Sequence, residues 1–496
     1  MKILLTSIAI LVYKIAVCQI YYNKNVGYDS MNLYNGYTNM YIDNDTIFCL
    51  GFNHISNGTA RNISKFDGMV NSLLVKSYAE DSTKHYNGGN GNNFIKFGNN
   101  FIATGSKKKY QYSDGVIIKF NKECDTLWVK KRNNSGSLGT IYRFSIKTST
   151  STFITLGDVT YYNSSVNFNF GQVYLVKFDT IANVIWEHEY GNPGTVSEFV
   201  KGIYPAADGG FFIYGYVTGY QQWSQCYLLK VDSIGNQLWQ RSWGSVFHDE
   251  LRGFYEMPNG NLLVSGYRQE ETNGFEFRRA YLAMLTPDGS QRIWEKTFFG
   301  LDVFSTIETD LFTIFKNNDG TFHIWGQEVN YHGDITRPFL MHFSANFDSL
   351  DTKYYSYWNG PGAQNYIRDI VKMPDQGYVA CGFGWDNTHD EDGWLLRIDS
   401  NGCANVNCTP LAILENTNEA FNEVAIYPNP ATNKIYIKTN ATEVIKNIRL
   451  FDIRGTTIKT QITGNEIDVS MLPNGLYIIE ITNAQGNIQR FKALKE

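Results

Sequence analysis

Eight histidines are scattered through the 496 residues. They form no His-x-x-x-His pair, and no two cysteines stand at zinc-finger spacing, so a metal-dependent hydrolase has no ligand set to start from. One loop is dense in carboxylates, Asp386-Asn387-Thr388-His389-Asp390-Glu391-Asp392-Gly393. Asp386, Asp390 and Asp392 alternate ahead of a glycine as calcium donors do, but the glutamate that closes a helical calcium loop has no counterpart. A solvated loop accounts for the same residues, and no cofactor is required. Nucleophile elbow, P-loop and dinucleotide fingerprint are all absent. A glycosidase would need two opposed carboxylates, which distant segments can supply without any local motif. The remaining chemistry is aromatic. Tyr161, Tyr162, Tyr220, Trp223, Phe275, Phe277, Tyr331 and Trp385 fall in or beside irregular segments, where rings can stack on sugars or anchor a protein partner.

What positions these rings is a repeat. An apolar stretch ending in Gly, a polar loop, a strand ending in Lys-Phe-Asp or its like, a turn and a Trp strand recur along the chain. The anchoring glycines are Gly51, Gly105, Gly157, Gly215, Gly266, Gly326 and Gly382, at spacings of 54, 52, 58, 51, 60 and 56 residues. A second anchor, Lys65, Lys119, Lys177, Lys230, Met284, His342 and Arg397, keeps the same phase. Seven units follow. Each also has an earlier strand, closed by turns such as Asp208-Gly209, Asn259-Gly260 and Asp319-Gly320, whose residues tolerate positive φ. Four strands repeated at this period predict a seven-bladed β-propeller; a solenoid shares the repeat logic. The last unit lacks its Trp strand, and Ile20 to Gly27 resembles one, so the N-terminus is expected to close blade seven and remove its free edge. Trp128, Trp186, Trp239 and Trp294 recur at one blade position and are expected to pack between blades. Asp125, Asp179 and Asp232 are expected to cap the turns after the third strands.

Composition agrees with an all-β chain: 33 Tyr, 32 Phe, 10 Trp and 44 Gly against 11 Pro. With 43 basic and 48 acidic residues, a formal charge of -5 and no basic run, nucleic acid is excluded as a partner. Residues 1–18 read as a signal peptide: Lys2, the apolar run Ile3 to Val12, then Ala16-Val17-Cys18 before cleavage at Gln19. Acylation of Cys18 is the rival, and the bulky Val17 argues against it. No other run is long enough to span a membrane. Of the six cysteines that remain, Cys403 and Cys408 are close enough across a short turn to form a disulfide in an oxidising compartment. Cys49, Cys124, Cys226 and Cys381 sit in or beside repeat strands and are expected to be unpaired.

The expected layout is a signal peptide 1–18, propeller 19–408, linker 409–420 and a second domain 421–496. In the last, short alternating strands with Pro, Asn and Gly turns predict a small immunoglobulin-like β-sandwich. Its motifs are Tyr427-Pro428-Asn429-Pro430, Asp452-Ile453-Arg454-Gly455 and Leu472-Pro473-Asn474-Gly475-Leu476-Tyr477, followed by the basic end Lys492-Ala493-Leu494-Lys495. This segment resembles the type A C-terminal sorting domain of the type IX secretion system. The resemblance implies an exported protein of a Bacteroidetes-type bacterium, partnered by the type IX translocon and by a surface sortase that removes the domain. It further implies release from the cell or attachment to surface lipopolysaccharide, and an extracellular or cell-surface location. The blades resemble the degenerate propeller repeats of secreted bacterial proteins.

Antiparallel strand order puts the loops between second and third strands, together with the blade-to-blade connections, on one face. Those segments vary in length and hold the aromatic candidates, so that face is expected to bind carbohydrate or protein in a binding or adhesion role. A polysaccharide hydrolase or lyase is the alternative, and a structural surface protein the third reading.

Overall fold

The computed structural model describes residues 22–25, 35–44, 46–55, 58–68, 70–78, 85–88, 93–109, 112–133, 136–192, 194, 196–219, 223–272, 275–298, 307–330, 335–404, 425–438, 445–452, 457–483 and 488–496. The expected signal peptide, Cys408 and the linker lie outside these residues. The chain divides into two compact units, Met1–Asn405 and Val406–Glu496. Among the described residues there is no helix.

The first unit is a seven-bladed β-propeller. Blade four shows the pattern: Val196–Pro205, Phe211–Gly219, Gln225–Val231 and Gln237–Trp243 follow one another as an antiparallel meander. The same meander begins at Asn35–Asp43, Gly139–Lys147, Asp249–Glu256 and Ile307–Lys316 for blades one, three, five and six. Blade two differs in its innermost strand, which comes in two pieces, His85–Gly88 and Phe94–Phe97, both paired with Asn100–Lys109. Blade seven draws three strands from Gln364–Lys372, Tyr378–Asp386 and His389–Ile398. Its fourth is Tyr22–Asn25, antiparallel to the third, with Tyr22 opposite Arg397 and Asn25 opposite Trp394.

Because strand side chains alternate between faces and both faces of each blade are covered, the middle strands read as continuous apolar runs. Phe211 and Ile213 of blade four pack against Ile154 and Leu156 of blade three. Phe212, between them in sequence, packs against Phe254 and Leu262 of blade five. A cluster of this kind fills each junction, including the closing one, where Tyr37, Met40 and Cys49 of blade one meet Val379, Cys381 and Leu395 of blade seven. Burial of one such side chain contributes about 1.5–3 kcal/mol. Trp128, Trp186, Trp239 and Trp294 pack half-buried onto these inter-blade clusters. Cys49, Cys124, Cys226 and Cys381 are buried and stand outside any disulfide.

The anchor glycines have a steric reason. Opposite six of the seven, all but Gly105 of blade two, the innermost strand bulges: its register shifts, for example, between Val200 and Gly202 against Gly215, between Leu251 and Gly253 against Gly266, and between Ile367 and Asp369 against Gly382. The bulge drives a carbonyl into the glycine. A Cβ at Gly215 would lie 2.0 Å from the Phe199 oxygen, one at Gly266 1.9 Å from the Glu250 oxygen, and one at Gly382 1.8 Å from the Tyr366 oxygen.

Turns after the third strands are capped from within. The Asp179 and Asp232 carboxylates each accept the backbone N–H groups two and four residues on. The expectation for Asp125 is corrected. In blade two the cap is Asn121, whose Oδ1 accepts the N–H groups of Glu123 and Asp125, because the cap must precede the turn rather than end it.

The second unit pairs two four-stranded sheets as a β-sandwich. One sheet holds Ala425–Tyr427, Lys434–Lys438, Glu466–Asp468 and Ile462–Thr463; the other holds Thr457–Ile458, Ile445–Asp452, Gly475–Asn483 and Ile488–Lys495. Ile435, Ile437, Leu450, Ile467, Ile479 and Ile481 fill the space between them. The motif residues tie its ends together. Asn429 Oδ1 accepts the Leu494 N–H at 2.8 Å, the Tyr477 hydroxyl donates to the Pro473 carbonyl at 2.8 Å, and Lys495 Nζ donates to Asn474 Oδ1 at 3.3 Å.

Candidate functional site

On the face carrying the loops between second and third strands, a cavity of about 500 Å³ opens among blades four, five and six. It is lined by Phe199, Tyr216, Thr218 and Ser224 of blade four, by His248, Glu250, Tyr267, Gln269 and Arg278 of the segment entering blade five and its strands, and by Glu308 of blade six. The aromatic wall is pre-set, with Phe199 and Tyr216 stacked at 4.9 Å. On the other wall Arg278 lies over the Tyr267 ring at 5.4 Å. His248 is fixed by Ser224, whose backbone N–H donates to Nδ1 at 3.2 Å and whose hydroxyl lies 2.8 Å from the same nitrogen. That arrangement braces the rim; among the described residues no carboxylate contacts the other ring nitrogen to make a relay.

Both lining carboxylates are engaged by cations. Glu250 lies 3.4 Å from Lys201 and 3.2 Å from Arg252, and Glu308 is paired with Arg278. Burial opposes ionisation of Glu250, but Lys201 and Arg252 outweigh it and hold the carboxyl below its ordinary range. Burial pushes the Tyr216 hydroxyl up to about 12 and raises that of Tyr267, so both remain neutral donors. The cavity therefore offers neutral ring faces, hydroxyl and amide groups and internally paired charges, a surface suited to a polyhydroxyl ligand.

Of the residues singled out from sequence, Trp223 lies at this rim, 49% exposed, its ring edge-on to His248 at 4.7 Å. Tyr161 and Tyr162 stand in blade three: the Tyr161 hydroxyl donates to Glu189 and its ring stacks on Phe170, while Tyr162 is 52% exposed and bonded to Asn167. Phe277 is only 7% exposed, under the Arg279 guanidinium at 5.0 Å. Trp385 stacks on Tyr366 at 5.5 Å in blade seven. Tyr220 and Tyr331 lie outside the described residues, as does the side chain of Phe275. The described candidates are thus distributed around the ring, and only Trp223 adjoins the cavity. Asp386 spends its Oδ1 on the backbone N–H groups of Thr388 and His389 in its own hairpin. Among the described residues no three His, Cys, Asp or Glu side chains converge to hold a metal ion.

Phe199, Tyr216, Glu250, Tyr267, Arg278 and Glu308 were not anticipated. They sit inside strands, where aromatic residues read as core. The signal was the charge: Glu250, Arg278 and Glu308 stand in strands that carry further charged residues, Asp249, Arg252, Arg279 and Asp310, beside their apolar ones.

Residues 425–494 match the family described as "Secretion system C-terminal sorting domain". No curated protein matches the chain. Among solved structures, the β-propeller domain of the Trilobed protease from Pyrococcus furiosus is similar with a TM-score of 0.40 and 11% identity, over 74% of this chain and 95% of that one. The GH93 α-L-arabinofuranosidase of Fusarium graminearum gives 0.38 and 10%, over 76% and 97%. The α-L-arabinanase of Penicillium chrysogenum gives 0.37 and 8%, over 77% and 97%. The sorting domain marks the chain as secreted or displayed at the cell surface by way of the type IX secretion machinery. Among the described residues no helix is long and apolar enough to cross a membrane.

Proposed function

We propose that this exported chain is a binding protein that holds a carbohydrate in the cavity among blades four, five and six. The observation that carries this reading is the pairing of its carboxylates. Glycoside hydrolysis needs a carboxylic acid still protonated near neutral pH, opposite a second, free carboxylate. Glu250 is held ionised by two cations and so is not poised to deliver a proton, and Glu308 is tied up in its ion pair with Arg278 rather than standing free opposite it. Aromatic faces flanked by fixed hydrogen-bonding groups recognise a sugar without needing to cleave it.

The test is a glycan array run beside a polysaccharide-degradation screen, using the secreted protein and a Trp223→Ala, Tyr267→Ala double variant. The expected result is saccharide binding without product, weakened about tenfold or more in the double variant, since removing one stacked ring costs about 1–3 kcal/mol for bases on aromatic platforms and similarly here. Product formation would replace this reading with the hydrolase or lyase. Binding that is unchanged in the double variant would place the ligand elsewhere on the ring.

A further inference from the structure

The bulges that the anchor glycines accommodate also re-aim side chains. The extra residue is Arg143 in blade three, Lys201 in blade four, Arg252 in blade five and Arg368 in blade seven. A bulge turns its extra residue out of the ladder, and in the innermost strand of a propeller the free direction is the axial channel. Four of these positions carry a cation. Three of the four, Lys201, Arg252 and Arg368, line one cavity of about 440 Å³ whose wall is built from the innermost strands of blades three to seven. Lys201-Gly202 and Arg252-Gly253 require their glycines: a Cβ at Gly202 would fall 2.1 Å from the Tyr214 hydroxyl, and one at Gly253 1.6 Å from the Phe312 carbonyl oxygen.

The countercharges stand behind the cations. Arg143 is paired with Asp158, Lys201 and Arg252 share Glu250, and Arg252 also reaches Asp310 at 3.2 Å. Asp369 lines the cavity, but its carboxylate accepts the Met40 N–H of blade one at 2.8 Å and the Ile370 N–H at 2.9 Å. Among the described residues Arg368 has no ion pair. Water in the ring's interior reaches its side chain while the surrounding blades enclose the head group, which lies over the faces of Tyr366 at 5.2 Å and Phe383 at 4.9 Å. Burial, then the nearby Arg252, lowers its proton affinity, against the pull of Tyr366 and Glu391. Burial lowers that of Lys201, with Arg252 and Arg143 adding to the effect. Each lining cation also has a ring beside it: Tyr216 under Lys201 at 5.2 Å, Tyr267 and Phe312 beside Arg252 at 5.2 and 5.6 Å. Cations gathered around one cavity, one of them unpaired, with ring faces between them, match a ligand whose sugar rings carry carboxylates.

We propose that the axial channel is a second binding site, for a uronate-bearing saccharide whose carboxylates meet Arg368, Lys201 and Arg252. This rests on the reading that the ring binds saccharides, and assigns an acidic class to a site distinct from the loop-face cavity.

Calorimetric titration of the secreted protein with tetragalacturonate and with its methyl ester tests it, because esterification removes the charge and keeps the sugar. The acid should bind at least tenfold more tightly than the ester, and the preference should shrink in high salt. Arg368→Gln should weaken the acid about tenfold, leave the ester unchanged and lower the melting temperature only slightly, since Arg368 has ring contacts but no ion pair to lose. Lys201→Gln, run beside it with the melting temperature as a control, should weaken the acid in the same way. Equal binding of acid and ester, or acid binding untouched by Arg368→Gln, would overturn the channel site. Acid and ester bound equally, both lost in a Trp223→Ala variant and both untouched by Arg368→Gln, would leave the loop-face reading standing while overturning this one. A saccharide bound on the array combined with no binding of either galacturonate would do the same.

Discussion

Glu198 shows how much one buried group can weigh. Its side chain is 1% exposed, Oε1 accepts the Asn192 N–H at 3.2 Å, and Oε2 is buried without a partner, as is the nearby Tyr227 hydroxyl. Burial pushes its carboxyl up to about 7, against which the backbone hydrogen bonds pull only weakly. A carboxyl raised in the folded state favours folding while protonated. Its contribution is full below the unfolded value near 4.5 and is lost as pH rises through about 7, a span worth on the order of 3 kcal/mol. Asp369, raised by burial to about 6, and Glu391, raised by burial to about 7, act in the same direction. Urea unfolding at a series of pH values should therefore show stability declining from pH 5 to pH 8. Glu198→Gln should remove part of that slope and be the more stable form at pH 8. A variant with the same slope as the parent would show that Glu198 is already ionised in the fold.

At the scale of elements, the ring depends on a strand borrowed from the other end of the chain. Tyr22–Asn25 covers the edge of His389–Ile398, and that third strand holds Trp394 and Leu396 in the junction with blade six and Leu395 in the junction with blade one. Without the clasp, those backbone groups become an open edge beside a continuous apolar run, the arrangement that pairs with other chains. Mature protein beginning after Asn25 should melt several degrees lower and form aggregates in light scattering; an unchanged melting temperature would mean that apolar packing at the blade seven to blade one junction alone closes the ring. The clasp was legible in sequence because the last unit lacked its Trp strand and the N-terminal segment resembled one. Blade count was legible because Gly215 and its equivalents recur. The bulges opposite those glycines were not, since in a blade covered on both faces there is no clean polar–apolar alternation whose phase an inserted residue could visibly reverse. Only the recurrence of cations at Arg143, Lys201, Arg252 and Arg368, in phase with the glycines, pointed to them. The cavity residues Tyr216 and Tyr267 were hidden for a related reason: in a blade buried on both faces, a ring that lines a pocket and one that fills a junction share the same sequence environment.

At the scale of the whole molecule, two units with separate cores divide the work. The propeller holds the loop-face cavity, and the sandwich carries the sorting motifs, with Tyr477 and Asn429 bracing its fold through Pro473 and Leu494. The central claim is that the ring is exported cargo and the sandwich a removable address. Intact-mass measurement of the protein recovered from culture medium and cell surface tests it most directly. The account predicts a chain beginning at Gln19, carrying one disulfide between Cys403 and Cys408, and ending within or near residues 409–420. An extracellular chain that still carries Lys495 and Glu496 would contradict it.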